Sequence, residues 1–92
     1  MTDVQSILAE RKKTHGCWRD QAACAQAIKA NIRGNIDMET ASLSMREALD
    51  MIAHKISRIC LGDASHIDHW DDIAGYATLV ANELRQASER KE

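Results

Sequence analysis

The chain of 92 residues contains no proline and no phenylalanine, and its only aromatic residues are Trp18, Trp70 and Tyr76. Without proline, a helix can be ended only by glycine or by clusters of polar residues. The apolar residues are mostly Ala, Ile, Leu and Met, and each alanine buries little area. The length predicts a single helical domain over 1–92. The weak core predicts a homo-oligomer, in which burial between subunits completes the core.

Blocks of like charge, paired cysteines and long apolar stretches are also missing. The net charge is −2 with both signs interspersed, and the basic run from Arg11 to Lys13 suits a solvated helix end, so nonspecific nucleic-acid binding is not expected. Cys17, Cys24 and Cys60 lack paired spacing, which indicates reduced thiols. Neither a secretory segment nor a membrane-length apolar run is evident. We therefore expect a cytoplasmic protein without a membrane partner.

The spacing of apolar residues predicts an all-α fold, a small helical bundle of about four helices. The predicted helices span about 3–13, 19–33, 44–61 and 68–87. Ser44 and Glu47 form the pattern of a capping box at the start of the third helix. Gly62 suits the left-handed position that ends it. A polar connection over 35–42 precedes the third helix.

The third predicted helix carries a polar face opposite its apolar one. Glu47, Asp50, His54 and Arg58 are spaced by three or four residues, with Lys55 beside them. One interpretation is a solvated face with ion pairs along the helix. The other is that these groups line a ligand groove in the assembled protein. The spacing alone leaves both open.

The fourth predicted helix has two stripes. The main stripe is Trp70, Ile73, Ala77, Val80 and Leu84, and the second is Asp72, Gly75, Tyr76 and Leu79. A helix with two such stripes is predicted to pack against neighbours on both sides. Gly75 costs about 1 kcal/mol relative to alanine in mid-helix unless another backbone approaches closely. Asp72 would then be partly buried, with Lys55 or Arg58 as its partner or with a ligand in contact.

Acidic pairs one helical turn apart lie on each of the last two predicted helices. The pairs are Glu47 with Asp50 and Asp68 with Asp71. On antiparallel helices two such pairs can converge on Mg²⁺, which binds carboxylate and phosphate oxygens. Solvated carboxylates are the alternative. No arrangement of nucleophile and base and no glycine-rich phosphate loop is present, so no catalytic residue is predicted, and Mg²⁺ is the single cofactor considered.

Two segments of the chain resemble a family of short phage and prophage proteins. The segments are EALDMIAHKISRI from Glu47 to Ile59 with Gly62-Asp63 after it, and DHWDDIAGYATLV from Asp68 to Val80. The family pattern is ALxMIxxKIxRIxxGD followed by DxWxDIxGYAxL, and Arg11 to Gly16 also resembles it. The resemblance covers most of the chain and is weakest over 19–42. It implies a phage protein in the host cytoplasm and brings no assigned activity with it.

A looser resemblance is to the MazG-type all-α nucleoside triphosphate pyrophosphohydrolases. Those enzymes carry acidic pairs on consecutive antiparallel helices and bind Mg²⁺-nucleotide between subunits. The four carboxylates named above lie where such pairs would lie. Arg46 precedes Glu47, however, so the doubled glutamate of those enzymes is absent. The resemblance therefore implies the fold and nucleotide binding more than hydrolysis.

Six residues are candidate ligand contacts: Arg11, Trp18, Lys55, Arg58, Asp72 and Tyr76. The lysine and arginines suit phosphate and the aromatic rings suit a base. The first hypothesis is a phage-type accessory protein that binds a small anionic, nucleotide-like ligand in a pocket between helices or subunits and sequesters a host defence signal. The second is a Mg²⁺-dependent nucleotide pyrophosphohydrolase. The third is a non-enzymatic inhibitor that contacts a host defence protein.

Three structural features separate these hypotheses. A concavity that holds Lys55, Arg58 and Asp72 favours either kind of nucleotide protein. Acidic pairs that converge favour the enzyme. A flat apolar patch without a pocket favours the contact inhibitor.

Overall fold

The computed structural model describes residues 3–90, which form four α-helices and no strand. The helices are α1 (Val4–His15), α2 (Trp18–Asn35), α3 (Leu43–Leu61) and α4 (Ile67–Arg90). The prediction of an all-α fold with four helices is confirmed. Within the described range, no helix has the length and apolar character needed to cross a membrane.

The helix ends follow local hydrogen bonds. Asp3 caps α1, because its carboxylate accepts a hydrogen bond from the Gln5 amide at 3.1 Å. α2 continues through Gly34, beyond its predicted end, and the Asn35 side chain donates to the carbonyl of Asn31 at 2.8 Å. Glycine thus lowers helix propensity there without ending the helix.

The capping box predicted at the start of α3 is wrong. Ser42 is the cap, and its hydroxyl accepts a hydrogen bond from the Met45 amide at 3.1 Å. Ser44 lies inside the helix, where its hydroxyl donates to the Glu83 carboxylate of α4 at 2.9 Å. Of the two serines at the start of this helix, Ser42 caps it and Ser44 bonds another helix.

α3 is the central helix. α2 and α4 pack along it, α1 packs mainly on α3, and α2 and α4 do not pack on each other anywhere between residues 3 and 90. α4 runs antiparallel to α3, since Lys55 pairs with Asp72 and Ser44 pairs with Glu83. The resulting arrangement is elongated, with extents of 54 × 28 × 25 Å.

Small side chains fill the interior. Within the described range, the buried residues are Ala25, Ala41, Ala48, Ala53, Gln21, Ser57 and His69. The predicted apolar face of α3 is only half-buried at Leu49 and Ile52. The opposite face is half-buried too, at His54 and Arg58, because α1 and α2 cover it. The interpretation of that face as fully solvated is therefore wrong.

The second side predicted for α4 is covered only in part: Asp72 pairs with Lys55 of α3, and Tyr76 is half-buried. An added Cβ at Gly75 would meet nothing within 4 Å, and the neighbouring Leu79 is exposed. No backbone of residues 3–90 approaches Gly75 closely, so the chain itself supplies no reason for a glycine there.

Candidate functional site

Two glycines bring the α1–α2 turn against the α3–α4 turn. Gly16 has φ +86°, and a Cβ added to it would lie 2.7 Å from the carbonyl carbon of Leu61. A Cβ added to Gly62 would lie 2.7 Å from the carbonyl carbon of Thr14. The φ of Gly62 is −115°, so the predicted left-handed conformation there is wrong. This glycine is instead required by the close approach of two backbones, which we name the glycine crossing.

The carbonyl of Thr14 holds the crossing together. It accepts hydrogen bonds from the Asp63 amide at 2.9 Å and from Nε2 of His69 at 3.0 Å. A carbonyl can only accept, so Nε2 of His69 carries the proton. His69 is 2% exposed. The start of α4 is thereby fixed to the end of α1, although 55 residues separate the two partners in sequence.

A cavity of about 300 Å³ lies beside the crossing, among α1, the start of α2, and α3. Its lining residues are Leu8, Arg11, Lys12, His15, Gly16, Cys17, Trp18, Gln21 and Arg58. Three of these side chains are cationic and none is a carboxylate. The cavity therefore presents concentrated positive charge beside apolar and aromatic surface.

Arg58 is half-buried, whereas the other two cations, Arg11 and Lys12, are exposed. Burial lowers the pKa of Arg58 below its usual value, and Arg11 lowers it further, while Asp72 and Tyr76 act in the opposite direction. Its Nε is shielded from solvent and has no hydrogen-bond partner among residues 3–90. No carboxylate of the described chain forms an ion pair with it. A buried donor without an acceptor is costly, and an anion in the cavity would remove that cost.

The first turn of α2 adds polar groups to the same wall. Cys17 is the N-cap residue, and its side chain makes no capping hydrogen bond. The amides of a first helical turn have no partners within the helix and favour anions. Trp18, at the first position of α2, is 69% exposed, so one face of its indole is available for stacking. Asp20 is in this turn but does not line the cavity.

The six candidate contacts divide between two sides of Arg58. Arg11, Trp18 and Arg58 line the cavity. Lys55 and Asp72 instead form an ion pair at 2.8 Å between α3 and α4, with side-chain exposures of 11% and 47%. The hydrogen bond and charge of Lys55 lower the pKa of Asp72. The ligand roles of all six residues stay predictions, and the Lys55 ammonium is already paired with Asp72.

Tyr76 shares a shallow depression on α4 with Asp72. The depression is lined by Asp71, Asp72, Gly75, Tyr76 and Leu79. Tyr76 is half-buried and close enough to Arg58 to affect its pKa. It does not line the cavity.

The four carboxylates predicted to hold Mg²⁺ do not converge within the chain. Glu47 and Asp50 lie in the first half of α3 and line a groove against α2. Asp68 and Asp71 lie at the start of α4, which antiparallel pairing places beside the end of α3. Among residues 3–90, no three His, Cys, Asp or Glu side chains form a group that could hold a metal ion.

Three histidines that the sequence did not single out as a group meet at the crossing. The ring centroids of His15 and His69 are 4.9 Å apart, and those of His66 and His69 are 4.7 Å apart. Only the tertiary fold brings them together, since His15 ends α1 while the others lie near the start of α4. Gln21 was also missed, and it contacts His54 at 3.4 Å.

The lowered pKa values of two histidines predict that the folded protein is less stable in acid. Burial first, then the charges of Arg58, His69, His66 and Lys55, lower the pKa of His15 from 6.5 to about 4. Burial and nearby cations also lower the pKa of His54. The unfolded chain therefore binds more protons between pH 6.5 and 4, so the free energy of unfolding falls as the pH drops through this window. We expect a loss of about 1–2 kcal/mol, after allowance for solvent screening.

Urea unfolding at pH 7.0, 6.0, 5.0 and 4.5 would measure this dependence. His15→Gln removes the most strongly shifted titration and should flatten the pH profile relative to the wild-type protein. A wild-type free energy of unfolding that stays constant across the window would contradict the prediction.

We compared the chain with known protein families, with curated proteins and with solved structures, and found no match in any of the three. The resemblances noted from the sequence therefore stay predictions.

Proposed function

We propose that this protein binds a small anionic, nucleotide-like ligand in the cavity among α1, α2 and α3, and that it does so as a homo-oligomer. The observation that carries the proposal is the unpaired charge of Arg58 beside Arg11, in a cavity lined by no carboxylate. Guanidinium groups bind phosphate oxygens through paired hydrogen bonds. Sequestering a host defence signal as a phage-type accessory protein is the biological role that we attach to this binding.

The other cavity groups favour a nucleotide over a simple inorganic anion. The exposed indole of Trp18 offers a stacking surface for a base. The cavity of about 300 Å³ is at the small end of the range for ligand sites. His15 is largely neutral at pH 7, given its lowered pKa, and a neutral imidazole can both donate and accept hydrogen bonds.

The two alternatives receive less support. The pyrophosphohydrolase hypothesis requires converged carboxylates, and the acidic pairs lie apart within the chain. The contact-inhibitor hypothesis requires a flat apolar surface without a pocket, whereas a charged cavity is present. Neither alternative explains why Arg11 and Arg58 face a common space without an acidic partner.

Calorimetric titration with ATP, AMP, cyclic di-AMP and inorganic diphosphate, with and without Mg²⁺, tests the proposal. We expect at least one nucleotide to bind the wild-type protein. Arg58→Ala and Arg11→Ala should each weaken that binding by about 1.5–3 kcal/mol, the value of a charge-assisted hydrogen bond shielded from water. Arg19→Ala is the matched control, because Arg19 is exposed next to Trp18 but does not line the cavity.

Melting temperatures of the same variants separate ligand binding from a structural role. If Arg58→Ala lowers the melting temperature while no probe binds the wild-type protein, Arg58 only stabilises the fold. Failure of every probe to bind at millimolar concentration would likewise contradict the proposal. Equal weakening by Arg19→Ala would place the binding outside the cavity.

A further inference from the structure

An apolar groove runs along the side of α3 that α2 and α4 leave uncovered. Its lining residues are Ile36, Thr40, Ala41, Met45, Ala48, Leu49, Ile52, Ala77 and Val80. The floor belongs to α3, one wall to the α2–α3 connection and the other wall to α4. The groove has a volume of about 570 Å³ and no charged lining residue. Covering it would therefore desolvate no ionised side chain.

The groove occupies the place of a hydrophobic core. In the described chain, the only buried apolar residues are four alanines. No leucine, isoleucine, valine or methionine of residues 3–90 is buried. Alanine contributes little transfer free energy, whereas each large aliphatic side chain contributes about 1.5–3 kcal/mol when fully buried. The aliphatic groups that could stabilise this fold, such as Leu49, Ile52 and Val80, are half-buried at the groove.

The exposed area shows how much surface remains to be covered. The chain exposes 6838 Å², whereas a folded monomer of 10.3 kDa exposes about 5,400 Å². Its radius of gyration is 16.1 Å, against about 12 Å for a compact chain of this length. The excess, about 1,500 Å² per chain, matches what each subunit of an obligate homodimer buries.

We infer that the groove is covered by the groove of a second copy of this chain, in a two-fold symmetric dimer. The inference deepens the oligomeric part of the proposed function and rests on it. A two-fold interface brings the same patch of both subunits together, so an uncharged, apolar patch meets its own equivalent. Ala41, Ala48 and Ala77 allow the helices to approach closely. A partner that completes the core must be present whenever the chain folds, and a second copy meets that condition.

Sedimentation equilibrium on the wild-type protein and two matched variants tests the inference. The wild-type protein should have twice the chain mass of 10.3 kDa. Ala77→Glu places a carboxylate in the groove and should weaken dimerisation at least about a hundredfold, since an unpaired buried charge is strongly unfavourable. Ala74→Glu makes the same change on the same helix outside the groove, at another exposed position, and should leave the dimer intact.

Two further measurements cover the case in which Ala77→Glu fails to fold. Thr40→Lys introduces a charge at an exposed groove residue outside the helices and should also weaken the dimer. The melting temperature of the wild-type protein should rise with protein concentration, as for any dimer that dissociates when it unfolds.

The possible results distinguish the inference from the proposed function. A wild-type protein that is monomeric at all concentrations overturns both the groove dimer and the proposed oligomer, and a wild-type trimer overturns the two-fold arrangement. A dimer that resists both Ala77→Glu and Thr40→Lys overturns only the groove as its interface. Ligand binding is measured separately, because neither substituted residue lines the charged cavity.

Discussion

Gly16→Ala is expected to lower the free energy of unfolding by about 2–6 kcal/mol. The backbone of Gly16 has φ +86° and ψ −175°, a region that is essentially restricted to glycine and costs other residues about 1–3 kcal/mol. The new methyl group would also overlap the carbonyl group of Leu61. This carbonyl group belongs to the backbone, so the overlap can be relieved only if the α3–α4 turn moves. That movement has a further cost of about 1–3 kcal/mol.

Urea unfolding of Gly16→Ala beside Gly34→Ala measures this effect. Gly34 lies inside α2, and an added Cβ there would meet nothing within 4 Å. The control substitution should therefore stabilise the protein by about 0.5–1 kcal/mol through helix propensity. Equal, small effects of the two substitutions would show that the glycine crossing does not form.

The helices were predictable because apolar spacing, glycine and polar caps are local signals. All four predicted helices are present, and α1 begins within one residue of its predicted start. The errors arose where a tertiary contact decided the local outcome. Ser44 has the spacing of a capping residue but bonds Glu83 of another helix. Gly62 directly follows α3, where a left-handed glycine often ends a helix. A glycine is needed there instead because the backbone at Thr14 approaches it closely.

The candidate cavity was predictable only in part. Arg11 and Arg58 were chosen for their charge and Trp18 for its aromatic ring, and all three line one cavity. Lys55 was one of the two predicted partners of Asp72 and does pair with it, but it does not line the cavity with Arg58. Periodicity shows which residues share a face of one helix. It does not show which neighbouring helix each part of that face meets.

The glycine crossing and the charged cavity depend on each other. Gly16 belongs to both, and its position determines how Arg11 on α1 faces Arg58 on α3. Hydrogen bonds to the Thr14 carbonyl fix the end of α1, which carries Arg11, against the turn that follows α3, which carries Arg58. Folding therefore places Arg11 and Arg58 on one cavity before any ligand binds, and such preorganisation favours binding.

His69→Ala is the second substitution from which we expect a large loss, about 3 kcal/mol in the free energy of unfolding. His69 is one of the largest fully buried side chains of the described residues, so its truncation leaves a cavity. It also removes the hydrogen bond to Thr14, which joins α4 to the end of α1. His69→Leu fills much of the volume without the hydrogen bond and should cost about 1–1.5 kcal/mol.

The difference between these two variants measures packing, and the loss in His69→Leu measures the hydrogen bond. His66→Ala is the matched control, because His66 belongs to the same cluster but is only half-buried and pairs with the exposed Asp68 at 3.6 Å. We expect it to cost less than about 1 kcal/mol. Chemical unfolding of the three variants at pH 7 gives all these values. If His69→Ala were no more destabilising than His66→Ala, the α1–α4 contact would not form in solution, and the cavity beside it would lose its rigid wall.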